Sequence, residues 1–235
     1  VGADARILQE FIIFVCSSIN LFYDILFKIK MLDVIQHPLF KFNFLGYGLL
    51  SFYAMILVIH GTNRRESLSK PISEFVVKHL KEKYTGQVEL LDLAEIPIES
   101  FDSGSMYHPD LISATIIQIK KQLINPAQKM IFISPEYNGS IPGILKLFID
   151  ACSITESRLA FYHKKAFLIG VASGRSGNIR GMDHLTGILM YMNMIIFPNR
   201  LPVSRIENLL AEKVTLSDVD TQNVIAKLLN EFIEF

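Results

Sequence analysis

The chain has 235 residues, half of them apolar and 20% charged, with 23 basic side chains balanced by 23 acidic ones. A net charge of zero supplies no basic field for nucleic-acid phosphates or an anionic membrane surface, and an apolar fraction this high excludes wholesale disorder. Cys16 and Cys152 are too few and too far apart for a disulfide framework or a four-ligand zinc site, so a reducing, cytoplasmic setting is expected.

Composition divides the chain near residue 54. Eleven of the 25 Phe and Tyr precede that point. Residues 7–30 could form an apolar helix, but Glu10 and Asp24 confine its uncharged run to 13 residues, where a membrane span needs about 20. Phe44 to Ile59 is uncharged but contains Gly46 and Gly48, and its end reads better as a buried strand. Asp4 beside Arg6, with no clear Ala-x-Ala, argues against a secretory signal. Residues 1–54 are therefore expected to be an apolar extension, dispensable for the chemistry, with a membrane contact through them the less favoured reading. Met55 is expected to open a single domain over residues 55–235.

From Met55 the pattern becomes regular. Met-Ile-Leu-Val-Ile-His-Gly predicts a strand, and a helix follows from Ser67 or Ser69, capped by one of them and burying Ile72, Phe75, Val76 and Leu80. Further strands are expected at 88–91, 129–134, 166–172 and 193–197. Helices are expected at about 110–124, 141–155, 179–192 and 217–234, the last with Val219, Val224, Leu228 and Phe232 on its apolar side. Apolar strands alternating with helices predict a parallel sheet covered on both faces.

Such sheets bind ligands beyond the carboxyl ends of their strands. The loop after strand one, Gly61-Thr62-Asn63-Arg64-Arg65-Glu66-Ser67-Leu68-Ser69, gathers hydroxyls, arginine and a helix N-terminus, a combination suited to phosphate or to an ordinary solvated cap. After strand three comes Pro135-Glu136-Tyr137-Asn138-Gly139-Ser140-Ile141-Pro142-Gly143, and after strand four Ser173-Gly174-Arg175-Ser176-Gly177-Asn178. His37, His60, His79, His108, His163 and His184 show no metal spacing, and His60 is read as a packed neutral histidine rather than a ligand contact. Cys152 is read as a buried apolar residue, Asp150 as a subunit or loop contact, and Met182, Met190, Met192 and Met194 as core or interface packing.

At these loops the chain resembles the NADPH-dependent FMN reductase family of the flavodoxin-like fold. The family's Gly-Ser-x-Arg-x-x-Ser is matched by Gly61, Thr62, Arg64 and Ser67, with Thr for Ser. Its Pro-Glu-Tyr-Asn-Gly-Ser-Ile-Pro-Gly is reproduced in full by residues 135–143, and its third, glycine-rich loop is matched more loosely by Ser173 to Gly177. The likeness covers roughly Met55 to Ser204, and residues 1–54 have no counterpart in it.

The resemblance implies a doubly wound five-stranded sheet of order 2-1-3-4-5 and a bound FMN. The phosphate would sit on Thr62, Arg64, Ser67 and Ser69, the last replacing a frequent asparagine. The isoalloxazine would lie against Pro135, Glu136, Tyr137, Asn138 and Gly139, with Ser173 and Gly174 closing the other side. It further implies NADPH or NADH as donor, no catalytic acid or base from the protein, and a quinone, flavin, azo compound or metal oxyanion as acceptor in ping-pong fashion, carried out by a homodimer or homotetramer. Competing readings are a flavodoxin-type electron carrier, disfavoured by Arg64 and the neutral net charge, and a flavin-free membrane-associated interaction protein. A phosphatase is disfavoured because the first loop contains no cysteine nucleophile.

Overall fold

The computed structural model describes residues 55–101 and 108–235. The expected N-terminal extension, with its candidate apolar helix at 7–30 and its possible membrane contact, lies outside these residues. No helix among the described residues is long and apolar enough to cross a membrane.

The sheet is built on β1 (Met55–His60), in which every residue is buried. Its side chains alternate between two cores, as the two-residue period of a strand requires. Met55, Leu57 and Ile59 join one cluster; Ile56 and Val58 join the other. Helix α1 (Lys70–Lys83) leads to β2 (Val88–Asp92), and helix α2 (Ala114–Ile119) to β3 (Ala127–Pro135). Helices α3 (Gly143–Ser153) and α4 (Ser157–Phe161) precede β4 (Lys165–Val171), and α5 (Ile179–Tyr191) precedes β5 (Ile195–Ile196). All these strands are parallel, in the order β2-β1-β3-β4-β5, which is the expected flavodoxin-like winding. α1 and the closing helix α6 (Val219–Glu234) cover one face through Ile72, Val76, Leu80, Ile225, Leu229 and Phe232. Ile116, Phe148 and Leu185, from α2, α3 and α5, cover the other.

The edge of the sheet departs from expectation. The strand expected at 193–197 is broken: β5 pairs with the start of β4, and a separate β6 (Leu201–Val203) pairs with its end. Pro198, which has no N–H to give a ladder, lies in the intervening segment. β7 (Leu210–Ala211) and β8 (Thr215–Leu216) form a small hairpin that the periodicity did not suggest.

Helix details are corrected too. The segment expected as one helix over 110–124 is a 3-10 turn at Pro109–Leu111, then α2, then a π-turn at Lys120–Ile124. Lys120 is buried there, its Nζ donating to the Thr155 carbonyl and hydroxyl, and burial lowers its pKa. The helix expected at 141–155 ends at Ser153, and the short α4 follows. On α6 the buried stripe is Ile225, Leu229 and Phe232, whereas Val219 and Val224 are exposed. Phe75 of α1 is only partly buried.

Candidate functional site

The first loop leaves β1 through His60, which is fully buried. Its Nδ1 lies 2.8 Å from Asp92 Oδ1 at the end of β2, and its Nε2 lies 2.8 Å from Ser69 Oγ. Ser69 Oγ is in turn 2.7 Å from Ser67 Oγ. Ser69 stands at the N-cap of α1, but its hydroxyl makes no cap hydrogen bond, being engaged by His60 and Ser67; of the two expected serines it is Ser67 whose Oγ accepts a backbone N–H, that of Ser69 at 3.4 Å. Thr62, Ser67 and Ser69 are all buried, so three hydroxyls gather beside the helix N-terminus. Arg64 is exposed, and among the described residues its guanidinium has no ion pair.

Asp92 is the second member of this cluster. Burial pushes its carboxyl up, but bonds from His60, from the Ala94 N–H and from Lys70 at 3.2 Å outweigh that effect and hold it at about 2. A folded-state value below the ordinary carboxylate range means that the associated stability, about 2 kcal/mol, is fully present above about pH 4 and lost as pH falls through about 2. Asp92→Asn is therefore expected to lose about 2 kcal/mol at neutral pH and to flatten the acid limb of a stability-against-pH profile. An unchanged acid limb would sink this assignment.

The second loop is a tight turn. Tyr137 and Ser140 exchange both backbone hydrogen bonds, and Asn138 and Gly139 between them have φ of 51° and 75°. Two successive positive φ values explain why Asn-Gly occupies those positions. The turn leaves Tyr137 partly exposed, with its hydroxyl 3.1 Å from Thr62 Oγ1, and this contact joins the second loop to the first. Ser140 Oγ meets His184 Nδ1 of α5 at 2.7 Å.

The third loop is joined to the second by Ser176 Oγ donating to Glu136 Oε2 at 3.2 Å, and by the Glu136 N–H donating to the Val171 carbonyl at 2.9 Å. Gly177 has φ of 57°, and a Cβ there would meet Pro202 Cβ at 2.7 Å, so close packing against β6 also demands glycine. Ser173 donates to the Glu207 carboxylate, and the Gly174 carbonyl accepts from Arg205 N–H.

The structure thus brings Thr62, Tyr137, Glu136 and the third loop into one connected rim, with Ser67 and Ser69 at its β1 end and Arg64 on its exposed side. Sequence reading missed Asp92, Lys70, His184 and Glu207 as neighbours of the site. Their partners lie tens of positions away, and no local spacing marks them. His60 is packed as expected, but it is also the central member of a hydrogen-bond chain.

Cys152 is buried in α3, and burial pushes its thiol up to about 12, so it stays protonated and takes no part. Among the described residues no cluster of three or more His, Cys, Asp or Glu could hold a metal ion. A groove of about 530 Å³ between α3 and α5 contains Asp150, which is ion-paired to Lys146 at 2.7 Å.

The residues present fit an FMN. Three buried hydroxyls and an unpaired arginine suit its phosphate, and the exposed Tyr137 turn suits its ring. A doubly wound sheet carrying such a rim at the carboxyl ends of β1, β3 and β4 defines the molecule as a flavodoxin-like nucleotide-binding protein. The family model for NADPH-dependent FMN reductase matches residues 54–208, and the chain belongs to that family of FMN-binding oxidoreductases.

Among relatives, the chain is 27% identical to a 2-hydroxy-1,4-benzoquinone reductase of Burkholderia sp over 141 residues, covering 60% of this chain and 73% of that one. It is 30% identical to an NAD(P)H-dependent FMN reductase of Pseudomonas aeruginosa over 107 residues, 46% of this chain and 55% of that one. In structure it resembles the flavoenzyme NAD(P)H:(acceptor) oxidoreductase FerB of Paracoccus denitrificans with a TM-score of 0.61, 19% identity, and coverage of 77% of this chain and 96% of that one.

Proposed function

We propose that the protein is an FMN-dependent NAD(P)H oxidoreductase that passes reducing equivalents to a quinone, flavin, azo compound or similar acceptor by a ping-pong mechanism. The observation that carries this reading is the joining of the first and second loops through Thr62 and Tyr137, which sets the hydroxyl cluster and the Tyr137 turn side by side. When bound, FMN would supply the redox chemistry, accepting a hydride from the nicotinamide and releasing two electrons to the acceptor.

The protein's own residues bind and orient. Thr62 and Ser67 would donate to the phosphate, Ser69 would orient Ser67 from behind, and Arg64 would add a charge-assisted bond, while Pro135, Glu136, Tyr137, Asn138 and Gly139 would flank the ring, with Ser173 and Gly174 opposite. No side chain is required to act as acid or base. Tyr137→Phe, which removes only the hydroxyl contact to Thr62, is accordingly expected to change FMN affinity by less than about tenfold and to leave turnover largely intact. A thousandfold loss of turnover with FMN still bound would assign the hydroxyl an acid role. The mechanism is tested by initial rates at varied NADPH and quinone. Parallel double-reciprocal lines are expected, and intersecting lines would reject the shared-site scheme.

A further inference from the structure

Four side chains in a row, Asp92, His60, Ser69 and Ser67, run from the end of β2 to the first loop with successive contacts of 2.8, 2.8 and 2.7 Å. The direction in which their protons point is fixed by the charge on the ring. Asp92, held ionised, can only accept, so His60 Nδ1 carries a proton in either state. If the ring is neutral, Nε2 accepts. Ser69 must then donate to it and Ser67 must donate to Ser69, leaving Ser67 Oγ with lone pairs alone for anything beyond it. If the ring is an imidazolium, Nε2–H donates to Ser69, whose own proton is then free to be donated to Ser67, and the Ser67 hydroxyl proton can point outward. Ser67 can donate to an anion only in the second arrangement.

We propose that the Asp92–His60–Ser69–Ser67 chain couples phosphate binding to protonation of His60, the arriving phosphate dianion drawing one proton from solvent onto the ring and so turning Ser67 into a donor. The inference rests on reading the first loop as the phosphate seat. His60 is a positioning residue here, acting through the two serines. The other charged groups around the chain are Lys70, which pairs with Asp92 and also feels Glu74 and Glu95, and the exposed Arg64, Arg65 and Glu66 of the loop. Among the described residues none of these bonds to His60 or to either serine hydroxyl. The chain is buried at His60 and Ser69, with only 0% and 1% exposure, so bulk water cannot reverse the hydrogen bonds locally, and the ring's charge must do so.

The test is calorimetric binding of FMN and of riboflavin, which lacks the phosphate, to the flavin-free full chain in buffers of different ionisation enthalpy. It is run between about pH 7 and 8.5, above the second phosphate ionisation near 6, where free FMN is already dianionic. The expected result is tighter binding of FMN than of riboflavin. FMN binding should also take up as much as one proton, with an affinity that falls by up to tenfold per pH unit, and riboflavin binding should show neither effect. His60→Gln should abolish the uptake while retaining a preference for FMN. FMN favoured over riboflavin without extra proton uptake would overturn the coupling and leave the phosphate seat standing. Equal affinity for the two would overturn the phosphate seat itself. If His60→Gln does not fold, His60→Asn supplies the comparison without a titratable ring, and proton uptake that survives it would sit on the phosphate and overturn the coupling.

Discussion

Replacing Phe232 with alanine is expected to destabilise the protein by about 3–5 kcal/mol, the loss typical of emptying a buried aromatic site. Phe232 is fully buried on α6 and packs with Phe167 of β4 and with Phe197, each at 5.6 Å between ring centroids, in tilted arrangements that add to simple area burial. Its loss would open the core on the face shared by α1 and α6, and the two remaining rings, held outside α6, cannot both move to fill the gap. The midpoint of urea unfolding should fall with little change in slope. A loss below about 1 kcal/mol would mean that the ring is not packed as described.

Arg64→Ala is expected to weaken FMN binding by about 1.5–3 kcal/mol, roughly 10- to 150-fold, the range for a hydrogen bond to a charged group. The residue belongs to the loop of buried Thr62, Ser67 and Ser69 hydroxyls, and among the described residues no carboxylate competes for its guanidinium. Arg64→Lys keeps the charge but not the planar fork, and an intermediate loss is expected. Fluorescence titration with FMN reads both variants. An Arg64→Ala protein with unchanged affinity would remove Arg64 from the phosphate site.

The parts of this architecture legible in the sequence are those written in local periodicity. β1 is a continuous apolar run ended by glycine, and the 135–143 loop carries its Asn-Gly turn in plain view, so both were placed correctly. What escaped depends on partners distant in the chain. The π-turn at Lys120–Ile124 accompanies the burial of Lys120 against Thr155, which no pattern within residues 110–124 reveals. β6 is three residues long with Pro202 at its centre, and it exists only because β4 offers a free ladder from Ile169 to Val171, past its pairing with β5. The β7–β8 hairpin turns through Glu212 and Lys213, both at positive φ, without the glycine or asparagine that would announce it.

The same division runs through the site. Thr62, Ser67 and Tyr137 could be picked out from motif spacing. The joining of Thr62 to Tyr137 and of His60 to Asp92 is a product of strand order, because β2 and β3 flank β1 and bring their carboxyl ends to the same edge. A sheet wound in another order would keep every motif and lose the rim.

On the proposed function, this rim holds an FMN reducible by a nicotinamide. Anaerobic titration of the FMN-loaded full chain with NADPH and then NADH, followed by the visible absorbance of the flavin, tests it most directly. Stoichiometric bleaching by at least one of the two nicotinamides is expected, with recovery of the oxidised spectrum on adding a quinone. A chain that takes up no FMN, or whose bound FMN is bleached by neither nicotinamide, would contradict it.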